Sequence, residues 1–336
     1  MARARDARDW AQEKLRGICD SIYTPFNGRD GDEIDYDAIR HVVRYVLKDL
    51  DHDGLWLTSG LAEFWALTMD ERKRIAEVSI EEARAVKPNA ILQVCTVASS
   101  AKDTVELTLH AQALDADICY LQNPFMEAHG GAGVLDFFKY VADRTDIALG
   151  MFNSPSSGDV LSPRECARIY EEVPAVCAIK DPADKPAHHG AILARMAPGL
   201  VMWETDNVAY NAGFLQQGLN GPCQLGCVAY LTETPSDRRY TNWWNLVVEG
   251  KLTEASEYYY AAGVETPNSH GLGYTSALPD RPGYFTHWGG AFKYGASLLG
   301  LPIGDYPHSR PPQAKLSEAQ RHQIKDAYIR GGLVNA

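Results

Sequence analysis

The chain reads as an α/β protein, a TIM (β/α)8 barrel with a C-terminal helical extension, and three features of the sequence predict it. Short apolar runs recur about every 25 to 35 residues through the first 230 residues, with helix-like patterns between them. The runs number eight, and eight parallel strands with crossover helices close most simply into a barrel. An open doubly wound sheet usually carries fewer strands and a glycine-rich phosphate turn, and neither GxGxxG nor a Walker motif occurs here.

Residues 1–16 form an N-terminal segment of alternating charge, and the barrel is expected over 17–235. Its candidate strands are GICDSIYTPF (17–26), GLWLTS (54–59), ILQVCTV (91–97), ADICYLQN (116–123), IALGMFN (147–153), VCAIKDPA (176–183), LVMWETD (200–206) and GPCQLGCVAYL (221–231). Between the first two, Ile39, Val42, Val43, Val46, Leu47 and Leu50 fall on one helical stripe that Asp35 is placed to cap. Thr68-Met-Asp-Glu71 has the pattern of a capping box, which predicts a helix from about 68 to 85. After 231 the pattern turns helical near 236–262, 288–300 and 317–331, so residues 236–336 are expected to form a helical region packed on the barrel. A separate all-α domain is the alternative.

Composition narrows the function. With 336 residues, 45% of them hydrophobic and 23% charged, the chain can bury a sizeable core. Its net charge of −12 repels phosphate backbones and anionic lipid, which argues against nucleic-acid and membrane partners. No apolar run of a signal peptide opens the sequence and none of about 18 residues follows, so a cytoplasmic protein is expected. Among the seven cysteines, Cys19, Cys95, Cys119 and Cys177 lie in apolar runs and Cys223 and Cys227 form CxxxC; the pattern reads as reduced, buried thiols rather than a metal site or disulfides.

Catalytic groups of a barrel converge at the C-terminal ends of its strands, and four such segments stand out. Val176-Cys-Ala-Ile-Lys180 ends an apolar run with a lysine, which, if desolvated, is a candidate for attack on a carbonyl to form a Schiff base. The alternative is a strand-end lysine that reaches solvent. In Thr58-Ser-Gly-Leu-Ala-Glu63, the backbone N–H groups near Ser59, Gly60 and Leu61 are candidate carboxylate donors. Phe152-Asn153-Ser154-Pro155-Ser156 puts an aromatic ring at a strand end and hydroxyl residues in the turn after it. The fourth segment is Gln122-Asn-Pro-Phe-Met126.

These segments occur in the order and spacing of the dihydrodipicolinate synthase and N-acetylneuraminate lyase superfamily of class I aldolases, which the chain resembles from about Gly17 to Pro312. IYTPF at 22–26 is similar to the family's first-strand pattern, and GLAEFWALTMDER at 60–72 resembles its GTGEFFxLTxxER segment. Phe-Asn-Ser-Pro-Ser at 152–156 resembles its Tyr-Asn-x-Pro-Ser, and Ala178-Ile-Lys180-Asp181 resembles the motif around its Schiff-base lysine. The segment from Lys293 to Gly304 is similar to its C-terminal helix and turn. The resemblance implies an enzyme, usually tetrameric, that acts on pyruvate or another 2-oxo acid through an imine on Lys180, with no metal and no other cofactor.

The departures bear on the chemistry. Phe152 stands where the family has a proton-relaying tyrosine, the second tyrosine of the relay falls near Met126, and the hydroxyl residue between them falls at Gly60. Leu61 and Ala62 replace Thr-Gly, which removes a hydroxyl from carboxylate binding. The implied set is Lys180 as the imine residue, Phe152 in the tyrosine slot, and Ser59, Gly60, Leu61, Met126, Ser154, Ser156 and Cys223 around the substrate. Candidate replacement acids and bases are His129, Ser154, Ser156, Glu204, Asp206 and His287. Glu63 reads as a backbone-holding residue of its turn. Trp56, Trp65, Trp203, Phe125 and Phe152 lie at or near strand ends, and any that face the mouth favour an apolar or aromatic partner aldehyde over a sugar. The expected function is an aldolase-like lyase making or breaking a C–C or C–O bond beside the imine, in a homo-oligomer (dimer or tetramer). The alternatives are a dehydratase or hydratase-aldolase on an aromatic or apolar 2-oxo acid, and a non-catalytic small-molecule-binding barrel.

Overall fold

The computed structural model describes residues 3–123, 129–154, 160–181, 186–204, 223–224, 229–264 and 288–335. Strands β1 (Cys19–Asp20), β2 (Gly54–Leu57), β3 (Ile91–Cys95), β4 (Ile118–Gln122), β5 (Ala148–Phe152), β6 (Val176–Lys180), β7 (Val201–Glu204) and β8 (Cys223–Gln224) lie in one sheet, in sequence order. The pairs from β3 through β8 are parallel. Helices α1 (Ala7–Lys14), α2 (Tyr36–Arg44), α3 (Met69–Val86), α4 (Ala101–Ala113), α5 (Gly130–Ala142), α6 (Pro163–Glu172) and α7 (Pro186–Met196) precede or separate the strands. Helices α8 (Arg239–Val248), α9 (Leu252–Ala261), α10 (Trp288–Leu298) and α11 (Glu318–Arg330) come after them. One parallel sheet in sequence order with crossover helices is the connectivity of a (β/α)8 barrel, as the sequence predicts.

The chain divides into two compact units, residues 1–19, 53–56 and 91–226 in one and residues 20–52, 57–90 and 227–336 in the other. In the first, β4 and β6 are buried along their whole length, which is why they read as nearly unbroken apolar runs. Register sets Tyr120 beside Gly150, Gln122 beside Phe152, and Phe152 beside Lys180, so the side chains of Tyr120, Phe152 and Lys180 project to one face. A methyl group on Gly150 would come within 2.5 Å of the Tyr120 ring, so glycine is what lets that ring lie over β5. The Arg8 guanidinium of α1 lies 4.0 Å over the Tyr170 ring and donates to the carbonyls of Tyr170 and Val173 at the end of α6, where the exposed carbonyl dipoles favour a cation.

In the second unit, Asp35 accepts from the Ala38 N–H and caps α2, and Thr68 and Glu71 form the reciprocal capping box of α3, both as the sequence predicts. The first predicted run (17–26) is not one strand. Phe26–Asn27 instead pairs antiparallel with Glu33–Ile34, because Pro25 and the left-handed Gly28 (φ 78°) turn the chain into a hairpin ahead of α2. Likewise the helical stretch 236–262 is two helices, parted at Gly250 (φ 74°). A polar network with a buried His52–Asp20–Glu233 centre crosses this unit. His52 Nδ1 meets Asp20 Oδ2 at 2.5 Å and its Nε2 meets Glu233 Oε1 at 2.7 Å, while Asp20 Oδ1 accepts from the Tyr230 N–H and Glu233 accepts from Thr241 and Arg238. The five described cysteines outside β8, Cys19, Cys95, Cys119, Cys166 and Cys177, are buried and form no disulfide.

Candidate active site

Lys180 closes β6 and is 5% exposed, so its side chain is held inside the first unit rather than reaching solvent. Its Nζ lies 5.1 Å from the centroid of the Trp56 ring and 5.3 Å from that of Phe152. Those two rings meet edge to face at 5.3 Å and 88°, and the Tyr120 ring meets the indole at 5.7 Å and 64°. The lysine nitrogen thus lies in the angle of two aromatic rings, within cation–π distance of both. A phenylalanine in this position supplies a face and no proton.

Around the strand end runs a layer of buried amides. The Asn153 N–H donates to the Lys180 carbonyl at 2.9 Å, which ties the end of β5 to the lysine backbone. Its side chain uses every remaining group: Nδ2 donates to Asp181 Oδ1 and to the Leu161 carbonyl, both at 3.0 Å, and Oδ1 accepts from the Leu161 N–H at 2.8 Å and from Asn123 Nδ2 at 3.2 Å. Asp181 Oδ2 forms an ion pair with His189 Nδ1 in the first turn of α7, and His189 Nε2 donates to the Leu161 carbonyl at 3.1 Å. Burial lowers the His189 pKa, but its bond to Asp181 and that carboxylate's charge overcome this, and the ring is held above its ordinary 6.5.

The predicted carboxylate turn belongs to the second unit. Thr58 and Glu63 both take left-handed backbone (φ 51° and 60°), which folds residues 59–62 into a tight turn. Ser59 Oγ accepts from the Leu61 N–H at 3.3 Å and makes a close hydroxyl contact with Ser21, and Thr24 Oγ1 donates to the Ala62 carbonyl at 2.7 Å. One of the expected donors, the Leu61 N–H, is therefore engaged with the turn itself. The sequence predicts that Glu63 holds the backbone of its turn; instead its carboxylate pairs with Lys293 Nζ at 2.8 Å, both fully buried, and the lysine also donates to the carbonyls of Thr24 and His308. Burial lowers the Lys293 pKa, though Glu63 opposes the shift.

Of the predicted site residues, Lys180 and Phe152 come together, and Ser154 is buried two residues beyond Phe152. Met126, Ser156, Asp206 and His287 lie outside the described residues, and for Glu204 and Cys223 only the strand backbone is described. His129 is exposed at the start of α5. Trp65 is 46% exposed, whereas Trp56 is a wall of the lysine site. Sequence reasoning missed His189. The signal was a histidine nine positions after the lysine, at the start of the next helix, where a barrel brings the first helical turn back to the mouth.

A buried lysine thus ends the sixth strand of the (β/α)8 barrel. The chain belongs to the Dihydrodipicolinate synthetase family, whose profile matches residues 14–258. It is 28% identical over 174 residues to an uncharacterized DapA-like lyase of Thermococcus onnurineus, a match covering 52% of this chain and 57% of that protein. The chain thus spans little more than half the length of the curated relatives it first matches. Its fold superposes with a TM-score of 0.77 on YagE of Escherichia coli K12, a dihydrodipicolinic acid synthase family protein crystallised with pyruvate, at 22% identity and covering 95% of this chain and 99% of that one. A catalytic-lysine mutant of the Ruminococcus gnavus sialic acid aldolase superposes with a TM-score of 0.76, at 16% identity and covering 95% of this chain and 96% of that one. These likenesses establish the barrel fold. Among the described residues, no helix is long and apolar enough to cross a membrane.

Proposed function

We propose that this protein is a Schiff-base lyase in which Lys180 condenses with a 2-oxo acid of the pyruvate type, and a C–C or C–O bond is made or broken beside the imine. The observation that carries the reading is Lys180 itself, buried at the end of β6 with its nitrogen between the Trp56 and Phe152 rings. Support comes from a family relative crystallised with pyruvate and from another that has a catalytic lysine. In this scheme the lysine nitrogen adds to the keto carbon and the carbinolamine loses water; in C–C cleavage the protonated imine takes the electron pair of the broken bond into an enamine as the substrate hydroxyl gives up its proton, whereas in C–O cleavage loss of the C3 proton forms the enamine, which expels the protonated hydroxyl as water with the C–O electron pair. A proton returns to the enamine carbon, hydrolysis restores the lysine, and the imine is the only electron sink required. Because Phe152 cannot move a proton, water carries it.

The two rings favour one refinement, a 2-oxo acid with an apolar or aromatic substituent, because apolar walls leave hydroxyl groups of a sugar-like substrate unpaired. Product analysis after incubation with aromatic, aliphatic and hydroxylated 4-substituted 2-oxo acids tests the reading. A released aldehyde marks an aldolase, loss or gain of water alone marks a dehydratase, and either must vanish in Lys180→Ala. Turnover that persists in Lys180→Ala would refute the proposal, and saturable binding without turnover would replace it with a ligand-binding barrel.

A further inference from the structure

We propose that His189 is a positioning residue for Lys180, acting through Asp181 and Asn153 to hold the end of β6 in the one place where the lysine nitrogen reaches between its two rings; this rests on the imine reading of Lys180. Four geometric facts carry it. Asp181 is the residue after Lys180, so any restraint on its carboxylate is a restraint on the lysine backbone. Each carboxylate oxygen has its own partner, Oδ1 with Asn153 and Oδ2 with His189. Asn153, whose N–H already holds the Lys180 carbonyl, has all its side-chain groups committed to Asp181, Leu161 and Asn123. Finally, each nitrogen of His189 faces an oxygen that only accepts, the Leu161 carbonyl and the Asp181 carboxylate, and a ring so placed is satisfied as the doubly protonated imidazolium.

The arrangement closes a loop of contacts from β4 through β5 and β6 to α7, with a single cation at its outer end. Losing that proton leaves one nitrogen as an acceptor facing an acceptor, which repels where it had attracted. Among the described residues, the titratable group of α6 that faces the pair is Cys166, whose thiol burial and the Asp181 charge push well up, so it remains neutral. Asn123, Asn153 and the Leu161 carbonyl are the uncharged groups around it, and Lys180 is the neighbouring titratable residue on β6. The folded-state shift of His189 is upward, so the positioning is complete below pH 6.5 and is lost as pH rises through the raised value.

The test measures the rate of Lys180 modification in the full chain by two probes, pyruvate with cyanoborohydride and trinitrobenzenesulfonate, which needs no imine. Wild type, His189→Gln, Asp181→Asn and the double variant are compared across pH, with modification read on the Lys180 peptide. The expected result is a loss of about tenfold or more with both probes in folded His189→Gln, as a small misplacement of a reacting group produces. Half-saturation by pyruvate should be unchanged, the wild-type-to-variant ratio should fall toward one as pH rises above 6.5, and the double variant should be no worse than His189→Gln. Equal rates in wild type and folded His189→Gln at every pH would overturn the proposal, as would additive losses in the double variant. Should His189→Gln not fold, titration of the wild-type ring by NMR decides. A midpoint above 6.5 that coincides with a change in Lys180 reactivity supports positioning, and a midpoint at or below 6.5 overturns it. Absence of a pyruvate adduct on wild type counts against the imine reading, while the trinitrobenzenesulfonate rates still decide the role of His189.

Discussion

Replacing His52 with alanine should unseat the buried network of the second unit, and its cost can be worked from the contacts. The imidazole bridges Asp20 and Glu233, each fully buried, at 2.5 and 2.7 Å. Without it Asp20 keeps only the Tyr230 N–H among the partners described above, while Glu233 keeps Thr241 and Arg238, so most of the loss falls on Asp20. Removing one partner of a buried ion pair costs about 3–5 kcal/mol. At roughly 2 cal/mol/K of unfolding entropy per residue, a chain of 336 residues would melt about 4–7 °C lower. The pH dependence has a definite sign. Burial lowers the His52 pKa, but Asp20 and Glu233 outweigh it and raise the ring to about 9. The contribution of His52 is therefore fully present below 6.5 and lost as pH rises through about 9. Melting curves of wild type and His52→Ala between pH 6 and 10 should converge toward the alkaline end. A gap under about 1 kcal/mol at pH 7, the range of an exposed pair, or a gap that stays constant to pH 10, would refute the reasoning.

Lys293→Met should destabilise the protein by about 3 kcal/mol or more, because the buried Glu63 carboxyl would lose its ion-pair partner, and Lys293→Met/Glu63→Gln should recover part of that in thermal unfolding. Phe152→Tyr adds one hydroxyl beside the lysine; imine formation on Lys180 should persist, and turnover of pyruvate-type substrates should change by less than about tenfold, since one proton-transfer group contributes its hundredfold or more only within an intact relay. A strong gain of ordinary pyruvate-aldolase activity in steady-state assays would show instead that the site is built around a missing tyrosine.

Local patterns carried much of this structure. The eight runs, the Asp35 cap and the Thr68–Glu71 capping box depend on residues a few positions apart; each run contributes a strand to the sheet, though the first only at Cys19–Asp20, and both caps appear where the sequence places them. Lys180 and Phe152 were legible for the same reason, since each ends a strand whose alternation fixes the face it projects to. What was not legible joins distant parts of the chain. His52 and Glu233 are 181 positions apart, and Asn153 and Asp181 are 28 apart on neighbouring strands, so no periodicity links them. Two boundaries were missed because one residue decided each: Gly28 turns the first run into a hairpin, and Gly250 splits a helical stretch that otherwise reads as continuous. The turn at Ser59–Leu61 reads from sequence as a row of donors, whereas the Leu61 N–H is taken up by the Ser59 hydroxyl.

Reductive trapping tests the central claim most directly. The protein is incubated with pyruvate and a panel of other 2-oxo acids, reduced with borohydride, and weighed intact and as peptides, with Lys180→Ala alongside. The account predicts a stable mass increase confined to Lys180, absent from the variant, with the best-labelling acid defining the oxo half of the substrate. No adduct with any acid, or an adduct on another lysine that survives in Lys180→Ala, would contradict it.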